Sequence, residues 1–87
     1  MEEADAATIW YAGRSHRAAE RFLDELGRAV KQISENPEIF PSFVFGTRRM
    51  ALRKFPYVIV FRDSATAINI IAIAHGRRRP GYWRDRV

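Results

Sequence analysis

The apolar residues of this 87-residue chain change their spacing once, at Pro37, and that change constrains the fold more than any other feature. Before it, Ala19, Phe22, Leu23, Leu26, Val30 and Ile33 recur at intervals of three and four, one stripe along a helix of about five turns. Ser15 suits the N-cap of that helix, and Pro37 disfavours its continuation past Asn36. An earlier helix is predicted from Glu2 to Ala12, with acidic residues in its first turn where they complement the helix dipole, and Gly13 to end it. The short Gly13-Arg14 link makes the two an antiparallel hairpin, with Ile9, Trp10 and Tyr11 expected where the first helix meets the second or the sheet.

Beyond Pro37 a connector over residues 37–42 is expected to hold Phe40, and after it Phe43, against the core without regular structure. The period then becomes two. Strands are predicted over residues 47–53, 57–62 and 67–75, with Phe55-Pro56 interrupting the first pair and Asp63, Ser64, Ala65 and Thr66 turning between the last two. The last two strands are apolar on both faces. The fold class is therefore α+β: an N-terminal helical hairpin packed on a twisted antiparallel β-sheet, in a single domain over residues 1–87. A chain of this size buries only about 60% of its unfolded surface, so its large apolar residues are all needed in the core.

Charge divides the chain at the same place. Residues 1–38 carry a net charge of −3 and residues 39–87 a net charge of +8, giving +5 in all. Two clusters supply most of the excess: Arg48, Arg49, Arg53 and Lys54, then Arg77, Arg78, Arg79, Arg84 and Arg86. A chain polarised in this way suits an anionic partner, whether nucleic acid or an acidic protein surface. Zero cysteines exclude disulfides, a thiolate nucleophile and Cys-based zinc sites, and two histidines make a poor metal site, so no metal or cofactor is expected. The apolar stretches fall far short of the ~20 residues needed to span a bilayer, and the acidic start does not read as a secretory signal.

In the basic half the groups able to move a proton are His75, Asp63, Asp85, Tyr57 and Tyr82. Carboxylates are too few there for a paired-carboxylate or two-metal mechanism. The enzyme chemistry that fits is metal-free phosphodiester cleavage, with Arg77 and its neighbours stabilising charge on phosphate and His75 as acid or base. The alternative for His75 is a structural cap on the last strand. Tyr82 and Trp83, interleaved with arginines, suit stacking on bases or cation-π contact, or else fold back as a hydrophobic clasp.

Several segments together resemble a known family. They are Ile33-Ser34-Glu35-Asn36-Pro37 with Phe40-Pro41; Arg49, Leu52 and Phe55-Pro56-Tyr57 with Ile59; and Ile70 to His75 leading into Arg77, Arg79-Pro80, Tyr82-Trp83 and Arg86. In this order they resemble the RelE/ParE toxins of type II toxin-antitoxin systems, over almost the whole chain, and most closely the ParE-like and plasmid-stabilisation members. The resemblance implies a cytoplasmic bacterial protein neutralised by a cognate antitoxin whose C-terminal segment wraps it. The ribosome-dependent mRNA interferases of the family use strand lysines and arginines and a late arginine and tyrosine. Here the strand arginine falls at Val58, a lysine position falls at Ala51 and the tyrosine position at Trp83, while Arg49 and Arg77 match.

That pattern favours inhibition by binding a target such as DNA gyrase. The alternatives are an endoribonuclease acting on ribosome and mRNA, with Arg49, His75, Arg77 and Tyr82 as catalytic candidates, and a degenerate member that binds antitoxin with little toxicity. The surface for target or antitoxin is expected to combine Arg49, Arg53, His75, Arg77, Arg78, Arg79, Tyr82 and Trp83, in a homodimer or a toxin-antitoxin hetero-oligomer. Members of the family begin with a strand before the first helix, whereas this chain opens on Met1-Glu2-Glu3-Ala4-Asp5, which matches the helix. The fold is thus expected to lack the family's first strand. One sheet edge is then expected to be covered by another chain, or the natural protein to start upstream of Met1.

Overall fold

The computed structural model describes residues 1–64 and 66–87. Two helices, α1 (Glu2–Ala12) and α2 (His16–Glu35), form the hairpin. Four antiparallel strands follow in the spatial order β1-β2-β3-β4: β1 (Ser42–Phe43), β2 (Thr47–Ala51), β3 (Tyr57–Asp63) and β4 (Ile68–His75). No helix of the described residues is long and apolar enough to cross a membrane. Met1 to Asp5 enter α1 directly, as their composition predicts.

Local chemistry sets the helix ends. The Ser15 hydroxyl accepts from the Ala18 N–H at 3.3 Å and opens α2, and Asn36 closes it ahead of Pro37. Along α2 the buried residues are Ala19, Phe22, Ala29 and Ile33, with Leu26 and Val30 partly buried beside them. Leu23, expected in the stripe, is 49% exposed, because one residue past Phe22 it is turned about 100° off the buried line, and Ala29 takes a place in the stripe instead.

The expected boundaries of the sheet shift by one or two residues, and the connector is more regular than expected. Pro37–Ile39 forms a single tight helical turn, and Ser42 and Phe43 add a two-residue strand to the meander, opposite Arg48 and Thr47. In β3 and β4 Val60 faces Ala72 and Phe61 faces Ile70, so Ile71 is an extra residue that bulges β4. Of the turn expected between these strands, Ala65 lies outside the described residues. At its ends the Ser64 N–H donates to the Ala67 carbonyl at 3.0 Å.

Because both faces of β3 and β4 are apolar, the sheet sits between two cores. On one face Ile59 and Phe61 meet Ala7, Phe22, Ala29, Ile33 and Leu52, and the aromatic rings of Tyr11, Phe22, Phe55 and Tyr57 pack edge to face or tilted. On the other, Val60, Ala72 and Trp83 form a smaller core against Phe43 and Val58. Each fully buried Phe or Ile contributes about 1.5–3 kcal/mol, so the two layers are both needed in a domain this small. Tyr11 sits at the helix-sheet contact as expected, and Trp10, 53% exposed, lies at its margin beside Tyr57 and Ile73; Ile9, at 72% exposed, occupies the outward side of α1.

Candidate functional site

The segment after β4 positions most of the predicted site. Its backbone leaves the strand in a tight turn, with Arg78 N–H on the His75 carbonyl at 3.0 Å, and turns again at Pro80-Gly81, where Arg84 N–H meets the Gly81 carbonyl at 2.9 Å. Gly81 adopts φ +94°, a conformation side chains rarely take, and a Cβ there would lie 2.9 Å from the Phe45 ring. The two turns fold the tail back over the second core and bury Trp83, which is 1% exposed, between Phe43 and Phe45.

The hydrophobic clasp is therefore the role the geometry gives Trp83. Its ring lies beneath the surface, so contacts with a partner on this face fall to its neighbours. Arg49, His75, Arg78, Arg79 and Tyr82 come together around a small pocket of about 70 Å³ over Trp83. Arg49 crosses to the Phe43 ring at 4.9 Å, and Arg78 lies 3.7 Å from the centre of the Tyr82 ring. Arg77 is exposed at the outside of the turn. Arg53 does not join the group. Its backbone N–H donates to Glu25 at 2.5 Å, and its surroundings are Glu25, Arg28 and Gln32 of α2, because β2 ends at Ala51 and the chain turns toward the helices there.

Both proton-transfer candidates have structural partners. The His75 Nδ1 accepts from the Arg77 N–H at 3.1 Å, and its ring stands edge-on to Tyr57, as a cap on the last strand should. The Tyr82 hydroxyl donates to Glu3. Burial, together with the hydrogen bond and negative charge of Glu3, pushes the Tyr82 hydroxyl up to about 12, against the opposing pull of Arg78 and Arg86. A phenol held neutral in this way is a donor at neutral pH.

Glu3 is the residue that the sequence concealed. An acidic residue in a first turn reads as a partner for the helix dipole, and nothing in its surroundings announces contacts some seventy residues away. Its Oε1 accepts from the Ile73 N–H at 3.0 Å and from the Arg86 guanidinium at 2.7 Å, and its Oε2 from Tyr82. Burial raises its carboxyl, but these three donors outweigh burial and hold it below its ordinary 4.5.

The pair defines a pH window. Stability from Glu3 is complete above 4.5 and is lost as pH falls through the lower folded value; stability from Tyr82 is complete below 10.0 and is lost as pH rises through about 12. Thermal melts across that range should show both limbs. Glu3→Gln should flatten the acid limb and cost about 1–2 kcal/mol at neutral pH, and an acid limb unchanged in that variant would contradict the assignment.

Two further features escaped the sequence. Phe45 adopts φ 58° in the turn between β1 and β2, 47% exposed, with Arg84 4.8 Å from its ring centre; no glycine marks the position, so the left-handed backbone had no signal. On the other side of β4 a cleft of about 490 Å³ opens between α1 and the ends of β3 and β4, with Trp10, Tyr11, Tyr57 and Tyr82 as its aromatic walls and His75 and Arg78 at one side. Among the described residues there is no group of three or more His, Asp or Glu that could hold a metal ion.

The family model described as ParE toxin of type II toxin-antitoxin system, parDE, matches residues 2–80, which take in both helices, all four strands and the first turn of the tail. Among curated proteins and among solved structures nothing matches.

Proposed function

We propose, from the premise that this chain belongs to the ParE toxin family of type II toxin-antitoxin systems, that it arrests growth by binding a target protein such as DNA gyrase and that a cognate antitoxin neutralises it. One observation within the site supports binding over RNA cleavage: its two proton-transfer candidates are engaged in holding the fold. His75 accepts a backbone N–H through Nδ1, and Tyr82 is a neutral phenol bonded to Glu3. A general acid or base needs a group that changes protonation near the working pH, and Tyr82 at about 12 does not. What the tail offers instead is guanidinium groups over aromatic rings, residue types enriched at the energetic centre of protein interfaces.

The experiment is induction in living cells with plasmid supercoiling and mRNA integrity followed together. The proposal predicts altered supercoiling or DNA breaks with intact mRNA. Cleavage within codons with unchanged supercoiling would reject it in favour of the interferase, and unimpaired growth would identify a member that only binds antitoxin. His75→Ala sharpens the comparison: loss of a proton-transfer group costs about 10²- to 10⁴-fold in an enzyme, whereas a binding toxin should lose less than about tenfold.

A further inference from the structure

The turn that joins β1 to β2 carries a residue its backbone does not call for. Phe45 and Gly46 are its two central residues, both with positive φ, at 58° and 72°, and the Thr47 N–H closes it on the Val44 carbonyl. The hydroxyl of the buried Thr47 donates to the same carbonyl at 2.7 Å and braces the turn from below. Two successive residues with positive φ make a type I′ turn, whose first central position takes Asn, Asp or Gly, because a large side chain crowds the backbone there. Local folding chemistry asks for Asn-Gly, and the chain has Phe-Gly.

Packing accounts for only part of the ring. It meets Trp83 edge to face, 6.0 Å between centres, and the bare Gly81 leaves it room, yet Phe45 stays 47% exposed and the adjoining Val44 41%. Two guanidinium groups frame this apolar tip: Arg84 lies 4.8 Å from the Phe45 ring centre, and Arg49 lies 4.9 Å from that of Phe43, on the other side of Trp83. Among the described residues the ion pairs are those of Glu3 with Arg86 and of Glu20 with His16, so neither guanidinium has a carboxylate partner within the chain.

We infer that Phe45 is the anchor of target binding: its ring, with Val44 beside it, enters an apolar pocket on the target protein, and Arg84 and Arg49 pair with carboxylates at the rim of that pocket. A half-exposed aromatic on a rigid support, framed by arginines, has the composition that carries most of the energy at protein interfaces. The strained turn contributes by holding the ring at a hairpin tip in one direction, so little conformational freedom is left to lose on binding. Charge selects the occupant, since an acidic rim complements both guanidinium groups and a basic one repels them. Phe43, Arg49 and Trp83 also line the small pocket where Arg78, Arg79 and Tyr82 meet, so the anchor is continuous with the surface of the tail. The inference rests on the target-binding reading and adds to it which residue seats the target and what the target must present.

The test measures inhibition of purified gyrase and thermal melting on the same variants. Phe45→Asn places a favoured residue in the turn, so relief of strain offsets the lost contact with Trp83, and the melting temperature should stay within about five degrees. The same variant should raise the toxin concentration for half-inhibition by about thirtyfold or more, as loss of a central aromatic contact does. Phe45→Leu, apolar but without a ring, should raise it by less than about tenfold, since an apolar pocket still accepts it, and Arg84→Glu by about tenfold. A folded Phe45→Asn chain with undiminished inhibition overturns the inference and leaves the target-binding reading standing. So does a Phe45→Asn chain that melts more than about ten degrees lower, because the ring then serves the second core. Gyrase unaffected by the unmodified chain overturns both, and loss of mRNA cleavage in Phe45→Asn would then make the ring a platform for bases.

Discussion

Trp83→Ala should cost about 3–5 kcal/mol of folding stability, the range for removing a buried aromatic side chain with incomplete collapse of the cavity. Trp83 is 1% exposed and holds the second core, with Phe43 and Phe45 at ring distances of 5.9 and 6.0 Å and Val60 and Ala72 behind it. Small domains are stable by about 5–15 kcal/mol in total, so the variant should lose a large share of that margin. The effect on the site follows from connectivity. Without the ring, the tail carrying Arg77, Arg78, Arg79 and Arg84 keeps only the partly buried Tyr82 as an apolar contact with the second core, and Phe45 loses its edge-to-face neighbour. Urea denaturation of the variant checks the figure, and Trp83→Phe should recover about half of the loss. A cost below about 1 kcal/mol would mean that the tail is held by Glu3 and Arg86 alone.

The second large effect concerns the surface itself. Replacing Arg77, Arg78 and Arg79 together by Gln should weaken target inhibition by at least about 10²-fold, because interface arginines cost about 1–2 kcal/mol or more apiece when truncated. The three side chains are exposed, and their packing partners are few. The Arg78 contact with Tyr82 is a surface cation-π pair of about 0.5–1 kcal/mol, so the melting temperature should move by only a few degrees. Folded protein with lost inhibition separates this surface from the core; folded protein with full inhibition would reduce the arginine run to a solvated face. Arg53→Gln is the internal comparison. Its place beside Glu25 and Arg28 predicts little effect on inhibition.

How much of this was legible depended on whether the signal was local. The change of period at Pro37 marks the border between the helical hairpin and the sheet, because both periodicities are written in consecutive residues. The resemblance to RelE/ParE toxins matches the family that residues 2–80 show. The burial of Trp83 could be read from Pro80-Gly81, which turns the chain back with two aromatics behind it. Leu23 and Ile9 depart from the expectation for one reason: apolar character says that a residue can be buried, while the angle around the helix decides whether it is. Charge alone puts Arg53 with the tail arginines, and only the end of β2 at Ala51 separates them. Glu3 was beyond reach, since its three donors arrive from β4 and the tail at the far end of the chain.

The proposed action of this chain is binding of a protein, not cleavage of RNA. It is tested most directly with purified gyrase, relaxed plasmid and ATP, adding the toxin alone, the toxin carrying Gln at positions 77, 78 and 79, and the toxin saturated with its antitoxin. Saturable loss of supercoiling or accumulation of cleaved DNA is expected with the unmodified toxin, and full gyrase activity in the other two. Unimpaired gyrase at saturating toxin, with mRNA cut on translating ribosomes by the same preparation, would contradict it.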